Sequence, residues 1–136
     1  MFFKNNLEKN QNENFIKISA LLIHAAKIDQ EYSAKEEEII KETLLKIGAE
    51  KNDLEKIISE AKKIEENSNQ ILNFTKEVKG MADENKIKII EALWQIIYSN
   101  DEADIYETSL MRRLAGLLYI DNKIMADIKE KIKNKK

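Results

Sequence analysis

Apolar residues recur along most of the chain at intervals of three and four positions. The first stripe falls at positions 15, 18, 21, 22, 25 and 28, which is the spacing of an amphipathic α-helix. Six more stretches with this spacing follow short polar breaks, and they begin near Ser33, Asn52, Ile71, Asp83, Asp104 and Asp121. The pattern therefore predicts an all-α fold of about seven helices.

Length and composition fit a single helical domain. A chain of 136 residues is ordinary for one domain with its own core. The sequence contains no proline and only three glycines, whereas all-β folds use turn residues at every hairpin. Because the segment 4–14 is polar and rich in Asn, we expect a flexible N-terminal lead-in over residues 1–13 and one domain over residues 14–134.

Several predicted helix ends carry recognisable signals. Ser33 with Glu36, and Asp104 with Glu107, have the spacing of a capping box at a helix start. Gly48 follows the second stripe, where a left-handed glycine commonly closes a helix. On the third and last helices we expect Ile64 and Ile124 to face inward with the rest of each stripe.

A shift of 71 positions aligns two segments of the chain. Ile16-Lys17-Ile18 and Leu22 meet Ile87-Lys88-Ile89 and Leu93 with full identity. The polar positions also correspond, since Asp29, Glu31, Ser33 and Glu36 meet Asn100, Glu102, Asp104 and Glu107. We infer two pseudo-symmetric helix–turn–helix units whose turns lie near each other.

The repeated acidic residues suggest a metal site. Asp29 and Glu31 follow the predicted end of one helix, and Asn100 with Glu102 follows another, where the helix dipole disfavours negative charge. A bound cation would offset that cost, and a ligand set made only of oxygens favours Ca²⁺, Mg²⁺ or Mn²⁺. The candidate ligands are Asp29, Glu31, Glu36, Asn100, Glu102, Asp104 and Glu107.

An EF-hand is excluded, and an internal partner is an alternative to metal. The EF-hand loop needs Gly at its sixth position and Glu at its twelfth, but counting from Asp29 gives Ala34 and Ile40. Any ion would therefore need ligands from both turns. Alternatively, Arg112 or Arg113 could fold back on the acidic residues as a structural ion pair, in which case the carboxylates only cap helices and balance charge.

Composition excludes several other functions. There is no cysteine and one histidine, so thiolate and His-rich metal sites are excluded. The net charge of −2 offers no general attraction to nucleic acid. No apolar stretch is long enough to insert into a membrane, so we expect a cytoplasmic protein. Because no catalytic motif is present, we do not expect a conventional enzyme; a hydrolase using paired carboxylates is the weakest hypothesis.

The second half of the chain resembles the TerB-like family. The residues that carry the resemblance are Glu102, Asp104 and Glu107 in the acidic turn, followed by Arg112, Arg113, Ala115, Leu117 and Leu118. The first half, at 28–36, shows the same signature in weaker form. In this chain the family's first acidic position is Asp29 in one half and Asn100 in the other, and its turn glycine is replaced by Gln30 and Asp101.

The resemblance implies an all-α fold of about seven helices in a tellurite-resistance or stress-response protein. It also implies a divalent-metal site at the acidic turns. The alternative is a helical protein-interaction module with a purely structural acidic cluster and no metal. Either function is compatible with a protein partner, including a membrane-associated one.

Individual residues outside the acidic turns have simpler interpretations. His24 is expected to be partly buried and hydrogen-bonded, and Trp94 to belong to the core. The acidic runs 36–38 and 65–66 are expected to be solvated faces. The lysines at 129, 131, 133, 135 and 136 form a basic C-terminal tail, with weak contact to acidic partners or anionic lipid as the sharper alternative.

Overall fold

A computed structural model describes the backbone of residues 2–27, 34–67, 72–98 and 105–134, and the side chains of 12–27, 34–67, 74–98 and 109–134. Over these residues the chain forms seven α-helices and one short 3-10 turn (Lys51–Asp53), with no strand. The helices are α1 (Phe2–Lys27), α2 (Ala34–Lys46), α3 (Leu54–Glu66), α4 (Leu72–Lys79), α5 (Asp83–Ile97), α6 (Ile105–Leu117) and α7 (Asn122–Asn134). The predicted all-α fold of seven helices is confirmed.

The first helix begins earlier than predicted. α1 starts at Phe2 rather than near Phe15, so the prediction of its start was wrong. The segment 1–13 is polar but contains neither proline nor glycine, and nothing in it therefore stops a helix. The division into a lead-in and a domain over 14–134 stays a prediction.

The core is centred on α1 and α5. α1 packs against α2, α3, α4 and α5, while α5 packs against α1, α2 and α7. Both central helices are enclosed by their neighbours, as the complete burial of Leu22 in α1 and Leu93 in α5 shows. In the sequence, the two acidic turns directly follow these two central helices.

Helices α3 and α7 bury faces slightly different from those predicted. Ile64 and Ile124 are 38% and 42% exposed, so their predicted burial was wrong, and Glu65 and Met125 are buried instead. A helix of 3.6 residues per turn returns to the same side after eleven positions. Glu65 therefore continues the buried face that begins at Leu54, whereas Ile64 lies about 100° away.

Two helices end in the same way at positions 71 apart. Gly48 has a φ of 110°, and the N–H groups of Gly48 and Ala49 donate to the α2 carbonyls of Leu45 and Leu44 at 3.2 and 2.9 Å. Gly48 is thus the left-handed cap predicted from the sequence.

After α6 the corresponding residue is Tyr119, with a φ of 57°. The N–H groups of Tyr119 and Ile120 donate to the carbonyls of Gly116 and Ala115 at 3.4 and 2.9 Å. The correspondence is local to these two helix ends, and the pseudo-symmetry of whole helix–turn–helix units stays a prediction.

Candidate functional site

Most of the predicted metal ligands lie outside the described residues. Asp29, Glu31, Asn100, Glu102 and Asp104 belong to this group, and only the backbone of Glu107 is described, in the first turn of α6. Over the side chains that are described, no three His, Asp or Glu residues are grouped as a metal ion would require. The metal site at the acidic turns therefore stays a prediction.

Glu36 is the described member of the predicted ligand set. It lies in the first turn of α2 and is only 3% exposed, so the prediction that 36–38 forms a solvated face was wrong at this position, although Glu38 is exposed. A carboxylate in the first turn of a helix is favoured by the helix dipole. Glu36 therefore places a carboxyl group, shielded from water, at the end of the first acidic segment.

Arg112 and Arg113 lie side by side on α6, and both are exposed. Neither forms an ion pair with a carboxylate in the described part of the chain. The proposed partners of these arginines, the side chains of Glu102 and Glu107, lie outside the described residues, so that pairing also stays a prediction.

A partly buried cluster of polar side chains joins α1 to α3. Lys27 donates from Nζ to Oε2 of Glu65 at 2.6 Å, and Nδ1 of His24 lies 3.5 Å from Oε1 of the same carboxylate. Glu65 is 8% exposed, so the prediction of a solvated Glu65 was wrong. His24, whose side chain is 32% exposed, is partly buried as predicted, and its hydrogen bond stays a prediction.

The signal for this cluster was present in the sequence. Position 65 falls on the same side of α3 as Leu54, and a buried carboxylate requires a partner. What the sequence could not supply was the approach of α1, which brings Lys27 and His24 to that side of α3.

A pocket of about 240 Å³ lies between α5, α6 and α7. Its apolar lining consists of Trp94, Met111, Ala115, Met125 and Ala126. Its polar lining consists of Arg112, Asn122 and Lys129. Trp94 is 2% exposed, which confirms its predicted place in the core. Sequence reasoning missed the pocket because Trp94, Met111 and Met125 have the ordinary spacing of core positions, and nothing in the sequence distinguishes the two alanines.

The lysines of α7 belong to this part of the fold. Lys129 Nζ lies 5.4 Å from the centre of the Trp94 ring, a cation–π contact. Lys131 Nζ lies 3.3 Å from Oε1 of Glu91 on α5. Residues 129–134 are helical, so the first lysines of the predicted basic tail fix α7 to α5 instead of extending away from the domain.

The length and apolar character of the described helices can be compared with those of a membrane-spanning helix. None of them combines the length and the apolar character that a bilayer-spanning helix needs.

The described part of the chain defines an all-α domain in which α1 and α5 form the centre and the two acidic turns directly follow these helices. The chain belongs to the TerB family, since the family model described as tellurite resistance protein TerB matches residues 15–130. That range runs from α1 into α7 and includes both acidic turns, so the resemblance seen in the sequence is confirmed. No curated protein and no solved structure gives a significant match to the chain.

Proposed function

We propose that the protein acts in tellurite resistance or a related stress response as a non-enzymatic binding protein. In this proposal the bound ligand is a divalent cation, Ca²⁺, Mg²⁺ or Mn²⁺, held by acidic residues of both turns. The observation that carries the proposal is the family match over residues 15–130, because it spans both turns together.

The positions of the helix ends support a cation at this place. α1 ends at Lys27 and α5 at Ile97, so the carboxylates of Asp29, Glu31 and Glu102 follow the negative ends of two helix dipoles. Negative charge there is unfavourable by about 0.3–1 kcal/mol for each group. α1 and α5 pack against each other, and a cation shared by their two turns would offset the repulsion.

The type of ligand atom decides the type of metal. The candidate set offers carboxylate and amide oxygens only, which suit Ca²⁺, Mg²⁺ and Mn²⁺ better than Zn²⁺. Glu36 adds a carboxylate that is already withdrawn from water at the start of α2. Because this carboxylate has already lost most of its hydration, binding an ion there costs less desolvation than at an exposed glutamate.

Thermal unfolding of the chelator-treated full chain tests the proposal. At a free ion concentration 100 times the Kd, binding adds about 2.7 kcal/mol of stability, which raises the Tm by several degrees. We expect the double variant Glu31→Gln with Glu102→Gln to lose this rise. The matched control is Glu42→Gln, which removes one charge from an exposed position of α2 and should keep it.

An unchanged Tm with all three ions would refute the metal site. The second candidate function, a helical interaction module with a structural acidic cluster, would then be favoured. The observation that supports it is the exposed Arg112–Arg113 pair on α6, which offers two neighbouring cations to an acidic partner, soluble or at a membrane.

A further inference from the structure

The residues of α2–α3 and α6–α7 can be compared position by position. Gly48 and Tyr119, which follow α2 and α6, are 71 positions apart and both have a positive φ. Beyond them, Leu54 and Met125 are 6% and 7% exposed at the same interval. At these four positions, residues 71 apart therefore match in backbone conformation or in burial.

In the first helix pair, the space between the helices is filled. Ile23 and Leu44 are completely buried, and Ile58 is 3% exposed. At the solvent-exposed outer edge, Lys41 on α2 donates from Nζ to Oε1 of Glu55 on α3 at 2.8 Å.

In the second helix pair, the corresponding positions line the pocket. Ala115 stands where Leu44 would be, and Ala126 stands where Glu55 would be, so an aliphatic side chain and a carboxylate are both missing. Arg112 stands at the position that corresponds to Lys41, so a positive charge is present there in both helix pairs. A second cation, Lys129, replaces Ile58 and lies over the Trp94 ring.

We propose that this pocket binds a small molecule with an apolar body and a carboxylate. The apolar body occupies the space that Leu44 fills in the first helix pair, against Trp94 and Met111. The carboxylate pairs with Arg112 as Glu55 pairs with Lys41, and charge-assisted hydrogen bonds of this kind are the strong ones.

The size and lining of the pocket restrict the ligand further. A volume of about 240 Å³ is below the range of roughly 300–1,000 Å³ that holds drug-sized molecules. The ligand is therefore compact, such as a medium-chain fatty acid or a simple aromatic acid. The site shares no residue with the proposed metal site, and its occupation does not depend on a divalent cation.

Trp94 provides a direct readout, because it is the only tryptophan of the chain and lines the pocket. The experiment is a fluorescence titration of the full chain in the presence of a chelator, with octanoate, 1-octanol and octylamine. We expect octanoate to change the Trp94 emission in a saturable way. We expect 1-octanol to bind about tenfold more weakly, and octylamine not to bind, because the two cations of the lining repel it.

Matched variants separate the cation of the pocket from cations elsewhere. Arg112→Gln should weaken octanoate binding about tenfold, and its exposed position should leave folding intact. Lys41→Gln makes the same charge change at the corresponding place in the first helix pair, and it should bind octanoate like the natural chain. Ala115→Leu combined with Ala126→Glu copies the closed arrangement and should abolish binding while circular dichroism shows an unchanged helical fold.

Three results would overturn the proposal. The first is the absence of a saturable emission change with octanoate and with phenylacetate, which tests the aromatic acids. The second is equal affinity for octanoate and 1-octanol, which would show that the carboxylate is not recognised. The third is unchanged octanoate binding by the folded Ala115→Leu, Ala126→Glu variant, which would place the ligand elsewhere.

Discussion

The α2–α3 and α6–α7 helix pairs pack against the same centre, but they differ in what lies between them. Between α2 and α3, Leu44 is fully buried and an exposed Lys41–Glu55 ion pair spans the edge. Between α6 and α7, the smaller Ala115 and Ala126 leave a pocket. The two helix pairs thus differ in packing, and the pair with the shorter side chains at these two positions contains the pocket.

The two sides of the molecule also treat charge differently. On the α1–α3 side, the buried carboxylate of Glu65 is held by Lys27 and approached by His24. Around the pocket, the charged residues are the cations Arg112 and Lys129, and the buried Nε1 of Trp94 has no hydrogen-bond partner in the described part of the chain. One side therefore satisfies its charges internally, whereas the other presents cations that an anionic ligand can satisfy.

The largest expected effect in this comparison comes from Leu44→Ala. Leu44 is fully buried, so its truncation removes apolar contacts and leaves a cavity, which costs about 2–5 kcal/mol of unfolding free energy. That is a large part of the roughly 5–15 kcal/mol that stabilises an ordinary domain. Chemical denaturation followed by circular dichroism measures the loss.

The reverse change, Ala115→Leu, is the control for this prediction. The pocket can accept the added side chain without overpacking, so we expect no loss of stability beyond about 1 kcal/mol, or a small gain. If Leu44→Ala were neutral, or if Ala115→Leu were as destabilising as Leu44→Ala, the two helix pairs would not differ in packing as the pocket indicates.

The fold could be predicted from the sequence because it depends on local periodicity. The stripes of α1 and α5 and the cap at Gly48 are visible in the letters, since burial and helix closure both follow from spacing along one helix. The prediction was wrong at Ile64, where the choice between adjacent positions depended on the rotation of α3. It was also wrong at Glu65, whose burial depends on Lys27 from another helix.

The pocket could not be predicted, because it depends on what is missing between helices. Ala115 and Ala126 are ordinary helix residues in the sequence. Their small size becomes informative only when they are compared with Leu44 and Glu55 at the corresponding positions of the first helix pair. The acidic turns are the opposite case. They are conspicuous in the sequence, but most of their residues lie outside those that the structure describes.

A smaller effect is expected at the two left-handed helix ends. Gly48 has a φ of 110° and open space around its missing Cβ, so Gly48→Ala meets no steric obstacle beyond its own backbone. The backbone strain alone should cost about 1–3 kcal/mol. Thermal and chemical unfolding of the variant measure this cost.

Tyr119→Gly is the matched change at the other helix end. It relieves about 1–2 kcal/mol of left-handed strain but removes the contact of Lys79 Nζ, 4.5 Å from the ring centre, and increases the freedom of the unfolded chain. We therefore expect a net change within about 1 kcal/mol. A loss as large as that of Gly48→Ala would mean that the Tyr119 side chain, rather than the backbone conformation, secures this end of α6.

The smallest expected effect concerns the pKa of Lys41. The hydrogen bond from Lys41 to Glu55 raises this pKa above 10.5, assisted by the charges of Glu55, Glu37 and Glu38 and opposed by desolvation. The contribution of the pair to stability is therefore complete below the unfolded-state pKa and is lost as the pH rises through the folded-state value. Titration of the Lys41 side chain by NMR should show a lower pKa in Glu55→Gln and a smaller decrease in Glu38→Gln.

The same titration applied to the second helix pair tests whether its edge lacks a carboxylate. In Arg112→Lys the introduced lysine corresponds to Lys41, but Ala126 stands at the position of Glu55, so the pKa of this lysine should be lower than that of Lys41. Adding Ala126→Glu should raise that pKa towards the Lys41 value, because it restores the carboxylate at the place of Glu55. Octanoate should have the same effect on Arg112→Lys without the second change, since the ligand carboxylate then stands where the glutamate would. If the introduced lysine of the single variant Arg112→Lys already had a pKa as high as that of Lys41, another carboxylate would have to reach this edge. That carboxylate would compete with an anionic ligand for the cation.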